Sequence, residues 1–145
     1  MKIYIASSWK NRDNVIMLKD HLIKYGHKVD AFCDFRDEER IVFDFKQIPN
    51  WETYNAKSFL NIDEVEMAFN QDKKMIDWAD CVILLLPAGK SSHLEAGYAK
   101  GTNKKLIIAG DFPSGEIDVM YGFADELFHI NNELPQMLNW LDLKK

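Results

Sequence analysis

Apolar and polar positions change their period several times along this chain, and each change marks an element. Ile3, Tyr4, Ile5 and Ala6 form a short continuous apolar run, so Lys2–Ala6 reads as a buried strand. From Asn11 to Tyr25 the apolar positions move to Val15, Leu18, Leu22 and Tyr25, which share one side of a helix, and Gly26 supplies the stop. Val29–Phe35 returns to strand character. Asn61 and Glu64 have the spacing of a helix-capping pair, and Val65, Ala68, Phe69 and Ile76 then fall on one face of a helix that runs to about Trp78. Cys81–Leu86 is the longest apolar run and reads as a central strand. After the turn Pro87-Ala88-Gly89 come a helix from about Ser92 to Lys100, a strand Lys105–Ala109, and a strand-helix pair over Leu127–Leu143.

Strands that alternate with helices require crossover connections and a parallel sheet covered on both faces. The expected fold is therefore α/β, a single doubly wound five-stranded and mainly parallel sheet of Rossmann-like or flavodoxin-like type, spanning residues 1–145 as one domain. Asp37–Lys57 breaks the pattern, being charged and without a clear period. Its aromatics Phe43, Phe45, Trp51 and Tyr54 argue against disorder and for a functional loop.

Composition narrows the partners. Lys and Arg total 18 against 23 Asp and Glu, a net charge of -5, and no basic run could track a phosphate backbone, so no nucleic acid polymer is expected. The Cys81–Leu86 run is far shorter than the roughly 20 residues that cross a bilayer. The opening residues lack the pattern of a signal peptide, which makes the cytoplasm the expected location. Cys33 and Cys81 lie in apolar stretches with no CxxC or Cys/His cluster and read as buried free thiols.

In open α/β sheets the ligand lies beyond the carboxyl ends of the strands. Three segments qualify, and they contribute Ser7 and Trp9, then Asp34 and Arg36, then Gly89, Ser91 and Ser92 as candidate substrate contacts, with Trp51 of the excursion able to stack on a ring. The third segment leads into a helix N-terminus, which favours an anion. Glu95 follows on that helix. Ser92 and Glu95 also have the spacing of a capping box, in which both side chains only satisfy backbone donors. Gly97 and Gly101 share a helical face, which points to close packing of this helix on the sheet. Asp72 falls on the inward stripe of its helix, either as a buried carboxylate that needs a partner or a use, or at a less buried rim. Two carboxylates near one pocket suit chemistry at an anomeric carbon. His93 and His129 are isolated and read as structural. No GxSxG, Walker loop or GxGxxG is present.

The segments Ile3–Trp9, Phe69-Asn70-Gln71-Asp72, Ala79-Asp80, Leu94-Glu95-Ala96-Gly97-Tyr98-Ala99 and Met120–Asp125 together resemble the nucleoside 2-deoxyribosyltransferase superfamily, which includes nucleotide N-glycosidases. The Phe43–Tyr54 excursion is similar to that of a phage and bacterial branch. The resemblance implies Glu95 as nucleophile, Tyr4 as the group that holds it, and Asp72 at the base. It implies a nucleoside or nucleotide substrate, no metal or organic cofactor, and a homo-oligomer in which Met120 and Glu126 stand near the neighbouring subunit's site. The loop Gly89-Lys90-Ser91-Ser92 lacks the acidic residue that holds sugar hydroxyls in the transferases, which favours a 5'-phosphate. The rival expectation is a nucleotide-binding or signal-sensing module without turnover.

Overall fold

The computed structural model describes all 145 residues. Strand β1 (Lys2–Ala6) leads through a 3-10 turn at Trp9–Asn11 to helix α1 (Arg12–Lys24), and β2 (Lys28–Ala31) follows. An excursion with 3-10 turns at Phe45–Gln47 and Trp51–Thr53 ends in the short helix α2 (Ala56–Phe59). Then come α3 (Asp63–Trp78), β3 (Cys81–Leu85), α4 (Lys90–Gly101), β4 (Lys105–Gly110), a 3-10 segment Val119–Phe123, β5 (Glu126–His129) and α5 (Leu134–Leu143). The sheet has five strands in the order β2-β1-β3-β4-β5, and every pairing is parallel. This is the doubly wound α/β fold. No helix is long and apolar enough to cross a membrane.

Alternation along the strands divides the core in two. Ile3, Ile5, Ile83 and Ile107 pack with Val15, Leu18 and Leu22 of α1 and Met137 and Leu141 of α5. Tyr4, Val82, Leu84, Leu106 and Ile108 face the other way, against Ile76 of α3 and Ala96 and Ala99 of α4. Each fully buried Leu or Ile contributes about 2 kcal/mol relative to exposure, so these two layers hold the sheet between its helices.

Several local details depart from the sequence pattern. Strand β2 stops at Ala31, and the Asp34 amide turns back to the Ala31 carbonyl, so Cys33 is buried in a turn rather than a strand. Helix α3 starts after Ile62 with no side-chain cap; the capping box forms instead at Asn55 and Ser58, ahead of α2. Phe69 does not join the core and leaves 61% of its surface exposed. Gly97 and Gly101 face open space, and the close approach of α4 to the sheet is made by Ala96 and Ala99. The glycine that does carry a steric constraint is Gly110, where a Cβ would come within 2.6 Å of the Leu86 Cβ. Gly26 stops α1 as expected, in the left-handed region at φ 86°.

Candidate active site

The chain leaves β1 toward β2 on one side and reaches β3 on the other, so the crevice between the carboxyl ends of β1 and β3 is the topological switch point. Ser7 closes the floor of that crevice. Its hydroxyl donates to the Leu85 carbonyl at 2.7 Å, and the buried Asn11 amide donates to Ser7 Oγ at 3.1 Å. Both groups join the end of β1 to the end of β3, and this use of Ser7 was not visible in the sequence.

Tyr4 is fully buried on the α3/α4 side of β1, and a buried phenol needs a partner. It finds one in Glu95 of α4, whose Oε2 accepts from the Tyr4 hydroxyl at 2.5 Å. Helix α4 begins at Lys90, two residues earlier than its pattern indicated, with Gly89 as the N-cap residue and no side-chain cap. Ser92 therefore lies inside the helix, where its hydroxyl donates to the Gly89 carbonyl at 3.1 Å. The capping box does not form, and Glu95 is released to face Tyr4.

Burial pushes the Glu95 carboxyl up to about 7; the Tyr4 hydrogen bond and the Arg40 charge pull it down, while Asp72 and Asp30 add to the rise. Tyr4 itself is raised well above the ordinary phenol value, first by burial and then by the charge of Glu95. One α-helix away, Asp72 Oδ1 accepts from Arg40 Nη2 at 2.5 Å, and the Asp72 side chain keeps 37% of its surface exposed. It is thus a rim residue with a buried partner. Burial raises its carboxyl, and the Arg40 guanidinium opposes that rise.

Arg40 and Asp30 were missed by sequence reasoning. Asp30 is the register partner of Tyr4 across β1 and β2, which places both side chains on the same face of the sheet. Arg40 belongs to the charged start of the excursion read as a functional loop, but nothing in the sequence singled it out; its side chain is 1% exposed and reaches Asp30 Oδ2 at 3.5 Å as well as Asp72. The only sequence signal was the polar Asp30 inside an otherwise apolar strand.

The remaining candidates lie apart from this cluster. Trp9 packs on the opposite face of the sheet, edge-on to Phe32 at 5.4 Å. Asp34 is buried and accepts charge from Lys19 Nζ at 2.9 Å and Arg36 Nε at 2.8 Å, while Arg36 also grips Asp20 on α1. Those two cations hold the Asp34 carboxyl far below the usual range; the Arg36 hydrogen bond contributes most. Trp51 packs edge-on to Phe45 at 5.0 Å within the excursion. Ser91 is exposed on the first turn of α4. Met120 and Glu126 are exposed, on the 3-10 segment and on the edge strand β5.

His93 has a clear structural use: Nδ1 lies 2.7 Å from the Gly89 carbonyl, and the ring stacks on Tyr121, tying the 3-10 segment to the start of α4. On that side a cavity of about 480 Å³ opens over the ends of β3 and β4, bounded by Leu86, Pro87, Ala88, Asp111 and Tyr121. Tyr4, Asp72 and Glu95 do not line it. The cavity and the carboxylate cluster therefore share no lining residue.

A five-stranded parallel sheet of this order defines the class of protein as a doubly wound α/β chain, with Tyr4, Glu95 and Asp72 gathered on one face of the sheet. Two solved structures share the fold. One is the CMP N-glycosidase BcmB of Clostridium botulinum, at 16% identity and TM-score 0.59, covering 98% of this chain and 99% of that one. The other is a 2-deoxyribosyltransferase of Bacillus psychrosaccharolyticus, at 20% identity and TM-score 0.62, covering 95% and 96%. No family model matches the sequence, and no curated protein does.

Proposed function

We propose that the protein cleaves the N-glycosidic bond of a nucleoside or nucleoside 5'-monophosphate, with Glu95 as nucleophile. The observation that carries this reading is the Tyr4–Glu95 pair. Tyr4 occupies Oε2, which leaves Oε1 as the attacking atom. Attack of Oε1 on C1' forms a glycosyl ester while the C1'–N bond breaks, and its electron pair departs with the base. Asp72, exposed enough to meet a ligand, delivers or orients the proton that the leaving nitrogen takes up. Water at C1' then completes hydrolysis, or a second base completes transfer, and Glu95 is regenerated in either case.

The two enzymes of shared fold act on the glycosidic bonds of a nucleotide and of deoxyribosides, as their names state, which supports the bond type. A 5'-phosphate fits the first turn of α4, where Gly89 permits close approach and Ser91 is free, while Ser92 is already engaged with Gly89. Side chains of Ile117, Val119, Met120 and Phe123 are exposed together, which supports self-association. Light scattering at several concentrations tests that assembly.

The reaction is tested by incubating the protein with nucleosides and monophosphates, with and without a second free base, and separating the products. Released base indicates hydrolysis, and exchanged base indicates transfer. If the wild-type protein does neither, or if Glu95→Ala is as active as wild type, the reading fails.

A further inference from the structure

Arg40 is a buried charge whose cost the packing alone does not explain. A guanidinium taken out of water is expensive unless its donors are paired, yet Arg40 Nε and Nη1 are buried without hydrogen-bond partners, and Asp30 Oδ2 has only the 3.5 Å ion pair with Arg40. Apolar residues of similar volume would stabilise such a position at least as well, so a purely structural bridge is a poor reason for it. Its place is more informative. The excursion after β2 carries Arg40 beneath the rim of α3, where it contacts Asp72 Oδ1 and faces Asp30.

The polar groups around the Tyr4–Glu95 pair can be named from each element. They are Asp30 from β2, the register partner of Tyr4, then Arg40 from the excursion, which pairs with both Asp30 and Asp72, and Asp72 from α3, whereas β3 and β4 present only Val82, Leu84, Leu106 and Ile108 on this side. Among them Arg40 is the only cation, set against the carboxyls of Asp30, Asp72 and Glu95. A site that must carry a carboxylate nucleophile beside two other carboxyls needs that countercharge.

We propose that Arg40 is a positioning residue for this site: it binds one oxygen of Asp72, leaves the other unpaired, and supplies the countercharge to Glu95 and its neighbouring carboxyls. This rests on the glycosidic reading above, but its physical core does not depend on substrate. Removing Arg40 leaves the carboxyls unbalanced and drives Glu95 toward its neutral form. Removing the charge of Asp30 acts in the opposite direction, in line with the influence of each group on Glu95.

The test is a ¹³C NMR titration of the Glu95 carboxyl, assigned by its loss in Glu95→Gln, in the wild type, Arg40→Gln and Asp30→Asn. We expect the midpoint to rise by about one pH unit in Arg40→Gln and to fall in Asp30→Asn. The alkaline-rising limb of the rate profile should follow, with kcat reduced about tenfold or more, KM changed less, and partial recovery in Arg40→Lys. A midpoint that stays within about 0.3 units in both variants overturns the proposal. So does a loss confined to KM or Tm with an unmoved limb. If Arg40→Gln does not fold, Asp30→Asn decides alone, because an unmoved midpoint there contradicts the countercharge balance. A wild type without glycosidic activity would remove the proposed reaction, and the titration would still decide the role of Arg40.

Discussion

The Tyr4 hydroxyl donates to Oε2 of Glu95 at 2.5 Å, across 91 positions of sequence. That bond favours the ionised carboxylate, whereas burial opposes it. Replacing Tyr4 with Phe keeps the ring in the core and deletes the donor. We expect the Glu95 titration to move further upward and the rate at pH 7 to fall about 10- to 100-fold, since less of the nucleophile is ionised and it is less well aimed. The fold should lose about 1 kcal/mol. Rate profiles from pH 5 to 9 and chemical denaturation check the two effects separately.

The same burial sets a pH dependence of stability. Burial pushes the Glu95 carboxyl up to about 7 in the fold, above the 4.5 of a free side chain. Between those values the folded state keeps a proton that the unfolded chain has lost, so the contribution of Glu95 is fully present below 4.5 and declines as pH rises through 7. Glu95→Gln has no charge to bury. Its advantage over wild type should be small at pH 4.5 and reach on the order of 1–3 kcal/mol at pH 8. Thermal melts of both proteins at the two pH values measure it, and an equal difference at both would contradict the assignment.

Asp34 and Arg36 allow substrate and framework roles to be separated. Asp34→Asn should leave Lys19 buried and poorly compensated, costing about 3–5 kcal/mol. Arg36→Ala, at an exposed position, should cost far less stability than Asp34→Asn and leave KM unchanged. A raised KM in Arg36→Ala would instead place it at the ligand.

Two glycines predict opposite outcomes. Gly110→Ala forces its new methyl against Leu86 and should destabilise the fold by about 1–3 kcal/mol while displacing the Leu86–Ala88 turn. Gly97→Ala, in the middle of α4 and facing open space, should stabilise by about 0.5–1 kcal/mol. Their melting temperatures should move in opposite directions.

Local patterning determined the elements and their order. Apolar runs at Ile3–Ala6 and Cys81–Leu85 specify strands buried on both faces, and the spacing of Val15, Leu18 and Leu22 specifies a helix that must cover them. From that alternation the doubly wound sheet follows, because few topologies bury such elements. Glu95 and Asp72 were legible as unusual residues and Tyr4 entered only by resemblance, while spacing alone could not distinguish a nucleophile from a helix cap. Tertiary structure removed the cap. The start of α4 at Lys90 removed Ser92 from the cap, and Tyr4, distant in sequence, supplied the partner. Arg40 lay further out of reach, since nothing along the excursion distinguishes it from its charged neighbours until the fold brings it beside Asp30 and Asp72. Hydrophobic periodicity is a local property and can be read along the chain. The burial and pairing of a charge depend on what surrounds it in space, and only the folded chain decides that.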